Sequence, residues 1–534
     1  MKKIISVLLC LVLLFTVFST AVMAAGETVK GDIPVIYLMG RNNKPIIKAD
    51  GTVADNAKEL DRLEYIGSVA GPVFEEFAKA CLTGDYSDWV DSLVGSIEPI
   101  YDDWRLDPDG TATEVGSYID WNPATCKITK KTSGYNIKDY VFYYDWRLSP
   151  FDVADQLDTY IERVCAATGH DKVNIHARCL GANFAVAYIY NSHNGKYEHD
   201  FRVANLALNT SALGGYISAG ALFSNQINFD PDVIDQYATI YGENAFDEPL
   251  YNTILTTMVS VCNMATVLGW GTDLVDKIYT ETKEELVPRI IMASYGGFPS
   301  YWSMISDSYY DKAMQAVFYN DALRQEYAGL IQRADNYHEK LGKINEETGY
   351  TGYEQLLLDC EQEHDMSTIV LAKYGKPFIP VIENSNLTGD ARGTATELSL
   401  GATCTTVDEI FSEEYIAEAR AKGTDKYISK DLTVDASTCL FPDTTWFAKN
   451  LKHEDWPEEF HNLALAFFNS NGELTVWDEE AILAQFVEYD SDRGEFVEVT
   501  EPSDSGWTDN KMSILVKFIK MVIEILMSLF SRVI

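Results

Sequence analysis

Short apolar segments alternate with helix-like segments in the first half of the chain. Buried-strand patterns occur at residues 33–39, 140–144, 173–176 and 203–208. Amphipathic or small-residue helical patterns occupy residues 151–168 and 182–190, between the later strands. Strands that alternate with helices in this way are typical of a parallel α/β sheet. The pattern therefore predicts an α/β protein with a mostly parallel sheet flanked by helices.

The second half of the chain is patterned differently. Residues 222–365 lose strand character and are rich in helix formers and aromatic residues, which predicts a helical cap inserted into the sheet domain. A fifth strand is predicted at 377–382, and a helix is predicted at 458–468. The predicted organisation is a core in two parts, residues 25–221 (with an insertion at 52–135) and residues 366–505, separated by the cap.

The N-terminus has the pattern of an export signal. Lys2 and Lys3 precede an apolar run to Val22, and Val22 and Ala24 fit the small-residue cleavage rule. We therefore expect residues 1–24 to be removed and the protein to be secreted or held at the cell surface. A transmembrane anchor is the alternative interpretation.

The C-terminus, residues 506–534, is predicted to be an amphipathic helix. Its polar positions form one narrow stripe, with apolar residues covering the rest. Lys517, Lys520 and Glu524 lie mid-segment and make a bilayer-spanning helix costly, at roughly 2.5–3.5 kcal/mol each for the charged types. Residues 511–534 therefore favour association with a membrane surface or with another copy of the chain. Packing on the protein's own surface is the alternative.

Charge excludes one class of partner. The chain carries 42 Lys and Arg against 81 Asp and Glu, a net charge of −39. A negative field of this size argues against nucleic acid, whose affinity comes from neutralised phosphates. With 46% hydrophobic residues the chain has enough apolar side chains for a sizeable core.

The cysteines and motifs indicate no metal and no cofactor. Nine cysteines are present, one of them inside the predicted signal. They contain no Cys-x-x-Cys pair and no cluster at zinc-finger spacing, and the chain has no Gly-rich phosphate loop after a strand. Disulfide pairing is open.

A candidate nucleophile follows the strand at 173–176. Ala177-Arg178-Cys179-Leu180-Gly181 and a small-residue helix have the pattern of a nucleophile elbow, with cysteine in the nucleophile slot. A thiol at a helix N-terminus beside a histidine ionises readily, so the substitution is chemically workable. A structural cysteine is the alternative. The elbow-like segment around Ser218 has no strand before it and is interpreted as a loop or helix start.

These segments resemble the lecithin:cholesterol acyltransferase-like branch of the α/β-hydrolase (lipase) superfamily. Residues 34–40 (Pro-Val-Ile-Tyr-Leu-Met-Gly) are similar to its first strand and oxyanion turn, and residues 144–147 (Tyr-Asp-Trp-Arg) are the most specific match. Residues 207–215 and 298–302 are also similar to family segments. The chain departs from the family at Cys179, which stands for serine, and at Arg178, which stands for the usual histidine.

The resemblance implies an α/β-hydrolase fold and a late acid and histidine. Residues 431–437 resemble the family's acid loop, which makes Asp431 the expected acid and Asp435 the alternative. His453 lies in a segment that suits the family's histidine loop. His461 is the alternative histidine, but its apolar neighbours indicate a helix. In this scheme Cys179 attacks, His453 takes its proton, and the backbone N–H groups of Leu180 and Arg41 bind the oxyanion.

The expected activity is that of an exported acyl hydrolase or acyltransferase. It would act on an ester or lipid-like small molecule through a thioester acyl-enzyme, with no cofactor. The alternative is a non-catalytic relative that binds lipid or glycan at the cell surface. A peptidase on the same fold would share the triad.

Overall fold

The structure, a computed structural model, describes residues 33–53, 72–226, 284–377 and 387–502, apart from residues 42–43, 49, 74, 77–78, 81–82, 113–116, 212, 408, 480 and 491–492. The predicted export signal at 1–24 and the predicted amphipathic helix at 506–534 lie outside the described residues. Within the described part of the chain, no helix combines the length and the apolarity needed to cross a membrane.

One central sheet organises the molecule. Its eight strands are β1 Val35–Leu38, β4 Tyr140–Phe142, β5 Val173–Arg178, β6 Val203–Asn209, β7 Ser367–Tyr374, β12 Thr445–Lys449, β13 Phe486–Asp490 and β14 Glu495–Glu498. Their order across the sheet is β14-β13-β12-β7-β6-β5-β1-β4. Every neighbouring pair is parallel except β13 with β14. The predicted α/β class with a mostly parallel sheet is confirmed.

Within the described residues, three further two-stranded ladders lie in the loops. They pair β2 Ile46–Ile47 with β3 Tyr118–Ile119, β8 Lys376–Pro377 with β9 Thr388–Gly389, and β10 Thr403–Cys404 with β11 Val434–Asp435. The second of these ladders lies in the connection that leaves the end of β7.

Helices flank the sheet and fill the connections. They are α1 Ser87–Tyr101, α2 Pro150–Thr168, α3 Gly181–His193, α4 Ile217–Phe223, α5 Pro299–Trp302, α6 Asp307–Val317, α7 Asp321–Glu326, α8 Ala328–Tyr337, α9 Gly352–His364, α10 Ala395–Leu398, α11 Glu413–Lys422 and α12 Glu458–Asn469. Residues 284–293 are also helical. The helices predicted at 151–168, 182–190 and 458–468 correspond to α2, α3 and α12.

Local chemistry sets the helix ends. Pro150 begins α2, where its missing N–H is not needed, and Gly169 ends it with φ 80°. Helix α9 begins with a reciprocal capping box between Thr351 and Glu354. Helix α9 then packs against α3 and β7, so the last helix of the predicted cap segment contacts the sheet layer.

The fifth strand lies earlier than the sequence predicts. The central strand is β7, and of the predicted 377–382 only Pro377 is described, in the short β8. Lys373 breaks the apolar pattern of β7, although its side chain is fully buried in the fold. Its ammonium donates to three backbone carbonyls, and these hydrogen bonds offset the free-energy cost of burying a lysine in a central strand.

Candidate active site

Four loops meet at the carboxyl ends of strands in the central sheet. Gly40 follows β1, Cys179 follows β5, Asp390 follows β7 and His453 follows β12. These strands are parallel, so their carboxyl ends lie together. Ligand sites of open α/β sheets form in this position.

Cys179 occupies a sharp turn between β5 and α3. Its φ is 51°, in the left-handed region that a residue with a side chain seldom adopts. The backbone N–H of Cys179 donates to Asn209 at the end of β6, at 3.0 Å, and this bond fixes the turn to the sheet. Strain of this kind persists where the surrounding structure enforces it, commonly at functional sites. Cys179 is a free cysteine and is half-buried.

Two glycines make room for the turn. A Cβ at Gly181 would lie 2.8 Å from the Leu38 carbonyl oxygen and 2.9 Å from that of Met39. A Cβ at Gly40 would lie 3.0 Å from Cys179 Cβ and 3.2 Å from its Sγ. The β1 turn and the nucleophile turn are therefore packed directly against each other.

His453 connects Cys179 with a buried carboxylate. Its Nδ1 lies 2.6 Å from Asp390 Oδ2, and its backbone N–H donates to the Asp390 carbonyl at 2.9 Å. The other carboxylate oxygen of Asp390 accepts from the backbone N–H groups of Arg392, at 3.0 Å, and Gly393, at 2.9 Å. The imidazole also interacts electrostatically with the Cys179 side chain: His453 lowers the pKa of the thiol, and the thiolate raises that of His453. The side chains of Cys179, Asp390 and His453 therefore lie together, and they follow one another in that order along the chain.

The two expected acids lie elsewhere. Asp431 pairs with Lys449 at 2.7 Å and accepts from the Thr433 hydroxyl at 2.9 Å. Asp435 accepts from the Tyr415 hydroxyl at 2.8 Å. The prediction that Asp431, or alternatively Asp435, is the partner of His453 is therefore wrong.

The electrostatics of the site favour a thiolate. Burial raises the pKa of the Cys179 thiol, but His453, the charge of Arg392 and the Leu180 N–H outweigh burial and lower it to about 7. Burial lowers the pKa of His453, but Asp390 and Cys179 outweigh it, and the net shift is upward. Burial likewise raises the pKa of Asp390, and His453 and Lys373 reverse the shift, to about 2. Cys179 and His453 therefore stabilise each other as an ion pair.

The two expected oxyanion donors, Leu180 and Arg41, lie in the turns that carry Cys179 and Gly40. Leu180 is the N-terminal cap position of α3, where backbone N–H groups are free of helical partners, and its N–H contacts the Cys179 sulfur. Arg41 follows Gly40 in the adjoining turn, and its guanidinium lies over the ring of Trp146 at 4.6 Å. Leu180 therefore directly follows Cys179, and Arg41 follows the glycine that packs against Cys179.

The Tyr-Asp-Trp-Arg segment supports the turn that carries Gly40. The Tyr144 hydroxyl donates to the carbonyls of Met39 and Gly40, holding the turn against β4. Arg147 is fully buried and donates from Nε to Asp145 at 2.9 Å and from Nη1 to the Trp104 carbonyl at 2.9 Å. The segment therefore positions the site without contributing a group to the triad.

Two buried cations hold the loop that carries His453. Arg178 donates to the His453 carbonyl at 3.1 Å, and Lys373 donates to it at 3.1 Å and to the Asp455 carbonyl at 2.6 Å. Both cations also lie over the Trp456 ring, at 3.6 Å and 4.5 Å. Burial lowers the pKa of Lys373 to about 7 and that of Arg178 to about 10. These contacts fix the histidine loop to β5 and β7.

The competing residues are not catalytic candidates in this geometry. Ser218 lies in α4, in agreement with its interpretation as a helix start. His461 lies in α12, as expected, and stacks on Trp456. Burial lowers the pKa of His461 to about 3, so it stays neutral at the expected working pH.

Sequence reasoning missed Asp390, Lys373 and Tyr216. The Tyr216 hydroxyl lies 4.0 Å from the Cys179 sulfur. The sequence signal for Asp390 is the Gly-Asp-x-x-Gly turn at 389–393 after β7, but the resemblance of residues 431–437 to an acid loop favours Asp431 instead. Lys373 and Tyr216 had no local signal, because both reach the site through long-range packing.

Comparison of the chain with protein-family models and with curated proteins found no match.

Proposed function

We propose that this protein is a cysteine-dependent acyl hydrolase or acyltransferase with an α/β-hydrolase fold. The observation that carries the proposal is the strained Cys179 turn facing the hydrogen-bonded pair of His453 and Asp390. The sheet order supports it, because nucleophile, acid and histidine follow β5, β7 and β12 in the chain order of that fold. Membership of the lecithin:cholesterol acyltransferase-like branch rests on the resemblance of the quoted segments alone.

The first step is attack on an acyl carbonyl. The Cys179 thiolate forms the C–S bond, and the carbonyl electrons move to the oxygen, where the N–H groups of Leu180 and Arg41 stabilise the charge. The tetrahedral intermediate then collapses and the C–O bond of the ester breaks. The His453 imidazolium gives its proton to the departing alcohol.

The second step releases the acyl group. Neutral His453 takes a proton from water or from an acceptor hydroxyl or amine, which attacks the thioester carbonyl. The C–S bond then breaks, and the Cys179 thiolate and the imidazolium are restored. Asp390 keeps the imidazole oriented and stabilises its charge in both steps. Water gives hydrolysis, and an organic acceptor gives acyl transfer.

The substrate class is an ester or lipid-like acyl compound. An aromatic cluster lies next to Arg41 in the turn after β1, where Trp146 packs against Trp104, Phe298 and Tyr301, and such apolar surroundings suit an acyl chain. Export, and contact with a membrane surface through residues 511–534, belong to the same proposal. The alternative is a relative that binds lipid or glycan without turnover. It would have the same fold, but the interaction between Cys179 and His453 would then have no role.

The test is turnover of short-chain esters and thioesters, with and without an added alcohol acceptor. Cys179→Ala should abolish turnover, whereas Cys126→Ser, which changes another half-buried free thiol, should leave it unchanged. A thioester on Cys179 should be trapped by rapid quenching and mass spectrometry. Equal rates for wild type and Cys179→Ala would overturn the proposal in favour of a non-catalytic relative.

A further inference from the structure

A cluster of side chains that could bind a metal ion lies away from the candidate active site. His193, Cys360 and His364 place one nitrogen or sulfur each within 4.8 Å of one another. His193 is the last residue of α3, and the two others lie one turn apart near the end of α9. Helix α3 begins beside Cys179, at the carboxyl end of β5. Its 13 residues at ~1.5 Å rise place His193 about 20 Å away, toward the amino ends of the strands.

The two imidazole nitrogens are spaced much as they would be on a tetrahedral zinc ion. His193 Nδ1 and His364 Nε2 are 3.2 Å apart. Two nitrogens on a tetrahedral zinc, each at ~2.0–2.1 Å, are separated by about 3.4 Å. Cys360 and His364 are four residues apart on α9 and lie on the same helix face, and the Cys360 sulfur lies within 4.8 Å of both nitrogens.

The neighbourhood holds the donors in place. Cys360 is fully buried, so its sulfur is shielded from competing water and oxidants. Phe201 stacks on the His364 ring at 4.0 Å between centroids and 4° between planes, which fixes the orientation of that imidazole. Lys172 donates to the His364 carbonyl at 3.2 Å and anchors the end of α9.

We propose that His193, Cys360 and His364 bind a zinc ion that joins α3 to α9. Zinc prefers imidazole nitrogen and thiolate sulfur, and a water molecule would fill the fourth position. Binding releases the thiol proton of Cys360 to solvent. The ring proton shared by the two facing nitrogens moves to an outer nitrogen, leaving both facing lone pairs for the metal. The ion would join α3, the helix before β6, to α9, the helix that leads into β7.

The sequence concealed this site. Cys360 and His364 show only a short helical spacing, and His193 is 171 residues away from His364. No sequence spacing typical of zinc fingers therefore exists, although the fold brings the three donors together.

The experiment uses the full chain carrying Cys179→Ala, which removes the thiol of the candidate active site as a competing ligand. After chelator treatment, zinc is titrated against a chromogenic chelator. We expect one equivalent to bind, with affinity reduced at least ~10²-fold in Cys360→Ala and in His193→Gln. Cobalt should give a thiolate-to-metal charge-transfer band that Cys360→Ala removes.

Two matched controls make the result decisive. His199→Gln disrupts a second cluster of His199, Asp158 and Glu162, and Cys165→Ala removes another buried thiol. Both should bind zinc like the parent. Zinc should raise the melting temperature of the parent and of these two controls, but not that of Cys360→Ala or His193→Gln. Failure of the parent to bind, equal binding by Cys360→Ala and His193→Gln, or loss of binding in His199→Gln would overturn the proposal. His193→Gln keeps the test valid should Cys360→Ala fail to fold, because His193 is only partly buried.

Discussion

The Arg178 guanidinium donates to the backbone carbonyl of His453 at 3.1 Å, across 275 residues of sequence. The residue just before the nucleophile therefore anchors the loop that carries the histidine. This contact gives a structural reason for arginine where the resembled family usually has histidine. Substrate chemistry depends on the position of the imidazole, so Arg178 acts as a positioning residue.

Arg178→Gln should lower kcat with little change in KM. Hydrogen bonds from a charged donor contribute about 1.5–3 kcal/mol, so we expect a loss of at least ~10-fold in kcat. The acid limb of the pH profile should also move, because the His453 imidazole loses its fixed position beside Cys179. Steady-state kinetics across pH measure both effects.

Arg163→Gln is the matched control for Arg178→Gln. Arg163 also binds backbone carbonyls, those of Pro123 and Cys126. Its loss should lower stability but leave kcat and the pH profile unchanged. A similar loss of kcat in both variants would show that Arg178 has no specific positioning role.

Asp390→Asn and Asp431→Asn should differ sharply in activity. Asp390 contacts His453, so its amide variant should lose about 10²- to 10⁴-fold in kcat/KM through misorientation of the imidazole. Asp431 pairs with Lys449, so its variant should lose about 1–3 kcal/mol of unfolding free energy while retaining activity. Ester turnover and urea unfolding separate the two outcomes, and a catalytic defect in Asp431→Asn alone would contradict the assignment of the acid.

Gly40→Ala should reduce activity without unfolding the protein. The new methyl would lie 3.2 Å from the Cys179 sulfur and 3.3 Å from the Leu180 nitrogen, crowding the thiolate and an oxyanion donor. We expect a loss of at least ~10-fold in kcat, since one oxyanion donor contributes about 10²–10³ in kcat. Gly95→Ala is the control, because a methyl there meets open space. Equal kinetics for the two variants would argue against Gly40 as part of the oxyanion turn.

His461→Phe should make the protein more resistant to acid. The folded-state pKa of His461 is lowered to about 3 from 6.5, so below pH 6.5 the unfolded state binds more protons than the folded state. Stability therefore falls as the pH falls from 6.5 toward 3. Removing the group should reduce the slope of unfolding free energy against pH by up to about 1.4 kcal/mol per pH unit. Urea unfolding at several pH values measures the slope, and an unchanged slope would count against a neutral buried His461.

Sequence patterns predicted the elements around the nucleophile because the signals there are local. The strand at 173–176, the Cys179 turn and the following helix are adjacent in sequence, so turn chemistry and periodicity define them. His453 interacts with the Cys179 side chain and lies in the loop that the resemblance indicates for the histidine. The acid was misplaced because Asp431 stands in a segment that resembles a family motif, whereas Asp390 follows a strand whose pattern Lys373 interrupts. The partners of Lys373 are carbonyls of the distant loop at 452–455, and no local pattern encodes such a contact.

The central claim is that Cys179 is a thiolate held by His453, and the pH dependence of its alkylation tests it most directly. The rate of iodoacetamide labelling of Cys179, followed by peptide mass spectrometry, should rise with a midpoint near pH 7. In His453→Ala the midpoint should move up toward the ordinary thiol value of 9.0. Cys126 in the same samples provides the internal reference thiol. A midpoint near 9 in the wild type, or no change on removing His453, would contradict the account.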